Sequence, residues 1–137
     1  MFTKLDISAI IAVIAGTASV FIGPFNGVII TLLVFMTCDY ISGVVSGAFN
    51  HQLSSKRGFK GLLKKLLILL IICIIHTAES RLLGSQDHVL RDSVCAFYIA
   101  NEGISILENV HECGVKYPEK IEKLFESWRD NNNESNN

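Results

Sequence analysis

The chain has 137 residues, 50% of them hydrophobic and only 18% charged, with a formal net charge of −1 and a mean hydropathy of +0.40. Soluble domains carry about 25% charged residues, so this chain is short of material for a water-facing surface, and its length allows at most one compact unit. The near-neutral balance says little about partners; the information lies in how the charges are distributed.

The first apolar segment, 7–23, follows Lys4 and is 17 residues long, about 26 Å as a helix, close to the lower limit for crossing a bilayer. Small residues at Ala15, Gly16, Ala18 and Ser19 give it some likeness to a cleavable leader, but the apolar stretch runs past them to Ile22, so a retained helix is expected. Gly23-Pro24-Phe25-Asn26-Gly27 then breaks the pattern with turn residues. The second apolar segment covers 28–49, and Asp39 is the sole formal charge between Ile7 and Phe49. Small residues line one face of each helix: Ala9, Ala12, Gly16, Ser19 and Gly23 on the first, and Ser42, Gly43, Ser46 and Gly47 on the second. Side chains of this size let backbones approach closely in lipid, either within one chain or between copies. Asp39 shares the second of these faces, where a carboxylate is protonated, paired or hydrated; it is a candidate for a pore or, equally, for a bond to a neighbouring helix or base.

Between the second and third segments lie Lys56, Arg57, Lys60, Lys64 and Lys65, with no acid from Ile41 to Ala78. Lys56, Arg57, Lys60 and Lys64 cluster on one side of a short surface helix, with Phe59, Leu62 and Leu66 on another. Anionic headgroups attract such a segment at about 1 kcal/mol per base, and its lysines and arginine hold it in the cytoplasm. Tied between two membrane segments, these bases are not expected to bind nucleic acid. The third apolar segment is Leu66 to Glu79, extending back to Gly61 if Lys64 and Lys65 snorkel.

The fourth segment, 93–112, is apolar yet striped. At about 100° per residue, Tyr98, Asn101, Glu102, Ser105, Glu108, Asn109 and Glu112 fall on one face, with Ile99, Ala100, Gly103, Ile104, Ile106, Leu107 and Val110 around the rest. A polar stripe on a membrane helix faces a protein interior or water, which makes Asn101, Glu102, Ser105, Glu108 and Asn109, with Asp39, the candidate lining of a pore or of a polar packing seam. With all four segments across the bilayer, both termini are cytoplasmic and ten of the twelve basic residues stay inside, leaving Arg81 and Arg91 outside. With the striped segment on the surface instead, three helices cross and the C-terminus is external.

Gly114 is placed to stop the fourth helix and Pro118 to open another, in which Ile121, Leu124, Phe125 and Trp128 recur at amphipathic spacing. The expected organisation is therefore an all-α membrane protein with three to four transmembrane helices in 1–114, an amphipathic cytoplasmic helix over 115–130, and a disordered polar tail over 131–137.

Enzymatic chemistry is not expected. Cys38, Cys73, Cys95 and Cys113 form no C-x-x-C, His51, His76, His88 and His111 show no metal-ligand spacing, and no phosphate loop or nucleophile elbow occurs. No cofactor or metal is expected.

Three blocks carry a resemblance: Cys38-Asp39-Tyr40-Ile41-Ser42-Gly43-Val44, then Leu53-Ser54-Ser55-Lys56-Arg57-Gly58-Phe59-Lys60-Gly61-Leu62-Leu63-Lys64-Lys65, then Glu102-Gly103-Ile104-Ser105-Ile106-Leu107-Glu108-Asn109 with Gly114 and Pro118 following. Over about Leu32 to Leu124 the chain resembles the toxin-secretion/phage-lysis holins of Gram-positive phages and clostridia. The resemblance implies a multi-pass protein of the bacterial cytoplasmic membrane that associates with itself and permeabilises the bilayer. The endolysin or toxin concerned would be released rather than bound. It supplies no catalytic residues. A small ion channel or transporter subunit, argued from Asp39 and Glu102, and a membrane anchor or scaffold, argued from the basic segment, are the other classes the residues allow.

Overall fold

The structure is a computed structural model that describes residues 4–121 and 123, with side chains described from Ile7. It contains four helices, α1 Lys4–Ile22, α2 Gly27–Phe49, α3 Ser55–Arg81 and α4 Val89–Glu112, and no strand among the described residues. The connections are short, so successive helices run antiparallel. One end of the bundle carries the α1–α2 and α3–α4 connections; the other carries the α2–α3 turn and the end of α4, where Asn50 Nδ2 donates to the Glu112 carbonyl at 3.4 Å.

Each helix end follows from a local group. Asn26 caps α2, its side-chain oxygen accepting from the Ile29 amide at 3.1 Å. Ser54 caps α3 in the same way through the Arg57 amide, at 3.5 Å. α4 has no cap from its own sequence, since His88 sits in the left-handed region with φ 55°. Glu79 of α3 takes that place: its two carboxylate oxygens accept from the Leu90 amide at 2.8 Å and the Arg91 amide at 3.1 Å. α4 closes at Gly114, whose φ of +81° lets its amide reach the His111 carbonyl while the Val115 amide reaches that of Val110. These two bonds make a Schellman motif.

The elements depart from the sequence reading at their edges. α1 begins at Lys4, and α4 begins at Val89. The basic segment is no separate surface helix; it forms the first turns of α3, which runs unbroken through Gly58 and Gly61. No proline interrupts this stretch, and its Lys and Leu residues are good helix formers that carry two isolated glycines. Beyond α4, residues 119–121 and 123 are helical; Leu124, Phe125, Trp128 and the polar tail lie outside the described residues.

The packed interior is divided along the bundle axis. Ile29, Leu32, Met36, Ile72 and Cys95 are its buried apolar residues. Those of α2 and α4 fall within the first turns of each helix, so the apolar core occupies the half of the bundle near the α1–α2 and α3–α4 connections. α2 and α4 form the most extensive pairing, and α1 packs chiefly on α3. Around this interior the surface is oily: Ile11, Val13, Ile14, Ile30, Val34, Ile41, Leu67, Leu70, Ile74 and Phe97 are all exposed, while Arg91, Glu79, Glu102 and Ser46 are buried. That polarity inside and apolarity outside is the arrangement a lipid solvent demands. α2, 23 residues long with Asp39 as its sole charge, is long and apolar enough to cross a bilayer.

Candidate functional site

Two polar networks occupy the two halves of the bundle. The first centres on Lys65. Lys65 lies ten residues into α3, Asp39 ten residues before the end of α2, and Glu102 ten residues before the end of α4. At 1.5 Å per residue, all three stand about 15 Å from the same end of the bundle, and antiparallel packing brings them together. The Lys65 ammonium donates to Asp39 Oδ2 at 2.8 Å and to Glu102 Oε2. Asn109, two turns further along α4, donates to Ser42 Oγ at 2.9 Å and to Asp39 Oδ1 at 3.2 Å. Nearer the end, Ser46 Oγ donates to the Glu112 carboxylate, and Asn50 Nδ2 donates to the Ser46 carbonyl at 3.0 Å. Beside these groups a cleft of about 340 Å³ runs from Gln52, Leu53 and Arg57 at the bundle end to Ser105, Asp39 and Lys65.

The structure therefore brings most of the sequence-selected residues into one place. Glu102, Asn109 and Asp39 bond to one another or to Lys65, Ser105 lines the cleft and Asn101 is half-buried alongside, whereas Glu108 is exposed. Within a single chain the stripe is a packing seam against α2 and α3. Lys56, Arg57, Lys60 and Lys64 are exposed, as headgroup-facing bases require. Lys65, grouped with them by sequence, turns inward because two carboxylates on neighbouring helices face it. A buried pair of this kind is costly to break from one side, by about 3–5 kcal/mol, since the remaining charge is left without a partner. Of the small residues, Gly43 faces Asn109, whose Nδ2 would lie 3.6 Å from an added Cβ, and Gly47 faces the 52–53 backbone; Gly16 meets nothing within 4 Å.

The second network, at the opposite end, was not among the sequence candidates. Arg91 is fully buried. Its guanidinium donates to the Ile22 and Pro24 carbonyls at 3.2 and 3.3 Å and to Asp92 Oδ1 at 2.7 Å. Asn26, already the α2 cap, donates to Asp92 Oδ2 at 2.8 Å. Gly23, with φ +83°, lies so close that an added Cβ would stand 2.2 Å from Arg91 Nη1 and 2.8 Å from the His76 ring. The sequence held one signal for this: Glu79 and Arg91, opposite charges at the facing ends of two apolar helices, with a Gly-Pro turn rich in free carbonyls to meet them.

Among the described residues no cluster of three or more His, Cys, Asp or Glu could hold a metal, and all four cysteines are free. The polar chemistry on view in the two networks is that of ion pairs and hydrogen bonds.

The bacteriophage holin family matches residues 16–130. A probable holin of Bacillus phage phi105 is 33% identical over 90 residues, covering 66% of this chain and 65% of that protein. An uncharacterized protein of Listeria monocytogenes is 42% identical over 103 residues, 75% of this chain and 72% of its own length. A 14.9 kDa protein of Clostridium perfringens is 41% identical over 103 residues, 75% and 77% respectively. No solved structure matches. A match that takes in α2, α3 and α4 whole, with the inward-facing polar groups of all three, places the chain in the bacteriophage holin family.

Proposed function

We propose that this chain is a multi-pass protein of the bacterial cytoplasmic membrane that associates with copies of itself and opens the bilayer, releasing an endolysin or toxin. One observation carries the reading: a bundle with an apolar exterior turns Glu102 and Asn109 of the α4 stripe inward, bonded to α3 and α2. In the dispersed chain that stripe is satisfied and harmless. Turned toward a lumen shared by several chains, Asn101, Glu102, Ser105 and Asn109 would line it with groups that hold water. Membership of the holin family and the likeness to the probable holin of phage phi105 support the same conclusion. Four crossings suit the charge distribution: Gly61 to Ala78 carries charge only at Lys64 and Lys65, near its cytoplasmic end, and Glu102 and Glu112 of α4 bond to neighbouring helices.

The test is expression without any endolysin. The wild type is expected to depolarise the host membrane after a delay, and replacement of Asn101, Glu102 and Ser105 together by Leu is expected to leave it in the membrane but unable to do so. Depolarisation at the wild-type rate by a normally inserted triple variant removes the stripe from the lining. An intact potential at high wild-type expression removes the holin reading itself.

A channel or transporter subunit is the second reading, favoured by the cleft that ends on Lys65 and Asp39. Its mark would be a small, ion-selective conductance without loss of viability.

A further inference from the structure

The bundle is built differently at its two ends. Near the α1–α2 connection, α4 is fixed by three independent sets of bonds: its first amides to Glu79, its Arg91 guanidinium to the Ile22 and Pro24 carbonyls, and its Asp92 to Asn26. The apolar core lies in the same half, and the guanidinium sits in the space that a Cβ at Gly23 would fill. In the other half the hydrogen bonds of α4 run from Glu102 to Lys65, Asn109 to Ser42 and Asp39, and Glu112 to Ser46, and its apolar residues Ile104, Ile106, Leu107 and Val110 are only half-buried. A cleft of about 340 Å³ already separates part of that half.

Separating apolar side chains forfeits their packing outright, whereas amides, hydroxyls and charged groups exchange their partners for water at a small net difference. The two halves thus differ in what opening costs them. We propose that α4 opens by pivoting on Arg91, and that the bonds from Lys65, Asn109 and Ser46 are the latch that parts first. The proposal rests on the pore reading and supplies its conformational step: the half of α4 that swings away carries Glu102, Ser105 and Asn109, the side chains assigned to the lumen. Arg91 and Lys65 are positioning residues in this scheme.

The full-length chain, with Cys38, Cys73, Cys95 and Cys113 replaced and wild-type timing retained, would receive one of two cysteine pairs. Ser46→Cys with Glu112→Cys spans the latch, and His76→Cys with His88→Cys spans the pivot end, where the two rings stand 5.2 Å apart. A short, membrane-permeant bis-methanethiosulfonate would bridge each pair in cells expressing the protein without endolysin. The latch bridge is expected to delay depolarisation severalfold until a permeant reductant cleaves it, while the pivot bridge leaves the delay unchanged. Equal blockade by both bridges, or prompt depolarisation through an intact latch bridge, overturns the proposal. Glu102→Gln gives a second measurement free of crosslinking: it keeps shape and polarity but weakens the bond to Lys65, so depolarisation is expected to come earlier at equal membrane level. Unchanged or later timing would count against a latch. A parent that never depolarises cells brings down the pore reading and this step with it, a result distinct from a working parent that ignores the bridges.

Discussion

Gly23 and Lys65 each concentrate a large consequence in one side chain. At Gly23 a methyl group has nowhere to go, since φ is +83° and Arg91 Nη1 would lie 2.2 Å away. The left-handed conformation alone costs about 1–2 kcal/mol for an L-residue, and displacement of the guanidinium adds to it. Gly23→Ala is therefore expected to lower the thermal stability of detergent-purified protein by at least that amount, whereas Gly16→Ala, with open space around it, leaves stability unchanged or slightly raised. Equal melting curves for the two variants would show that the Arg91 cluster tolerates rearrangement. For Lys65→Met, loss of the ammonium that bonds Asp39 and Glu102 is expected to cost about 3–5 kcal/mol. Adding Asp39→Asn and Glu102→Gln should restore much of the loss, as read by helicity during titration with a denaturing detergent. Failure of the triple variant to recover would mean that the ammonium is held for its packing rather than its charge.

At the scale of elements, Glu79 caps a helix that begins ten residues later in the chain. Glu79→Gln is expected to weaken the first turn of α4 by about 1 kcal/mol, the usual worth of an N-cap. Faster amide exchange at Leu90 and Arg91, with no change at the Gly114 end, is the signature to look for. The same cap shows why some boundaries were legible and others not. The start of α2, the end of α4 and the break at Gly23-Pro24 rest on residues next to the backbone groups they serve, so sequence alone located them. The start of α4 depends on a carboxylate from another helix, which no local pattern can display. The continuity of α3 was hidden for another reason: its composition changes from basic to apolar at Leu66, and a change in composition reads as a boundary even where the backbone passes straight through.

For the molecule as a whole, the charge distribution predicts that the Gln52 end faces the cytoplasm and the Gln86 end faces outward. In a cysteine-free background, an impermeant maleimide on intact spheroplasts is expected to label a cysteine at Gln86 and to spare one at Gln52. Labelling at Gln52 in sealed cells would reverse the orientation. The α4 stripe was visible in sequence as periodicity, and so was its need for a polar neighbour. The identity of that neighbour was not, because Lys65 sits in a run of five bases and only antiparallel packing singles it out from Lys64. Likewise the glycines of α2 were legible as a close-approach face, while only the fold shows that Gly43 turns it toward Asn109.

The buried charges have their bonding partners in the same chain: Lys65 meets Asp39 and Glu102, Arg91 meets Asp92 and two backbone carbonyls, and Glu79 meets two backbone amides. No headgroup of a particular kind has to reach into the bundle to supply their hydrogen bonds. Insertion of the closed form should therefore be nearly indifferent to whether a bilayer is rich in phosphatidylglycerol, cardiolipin or a zwitterionic lipid, with the exposed bases of α3 adding only a surface preference. A gene for such a protein can pass between bacteria whose membranes differ in lipid make-up and find each of them an adequate solvent.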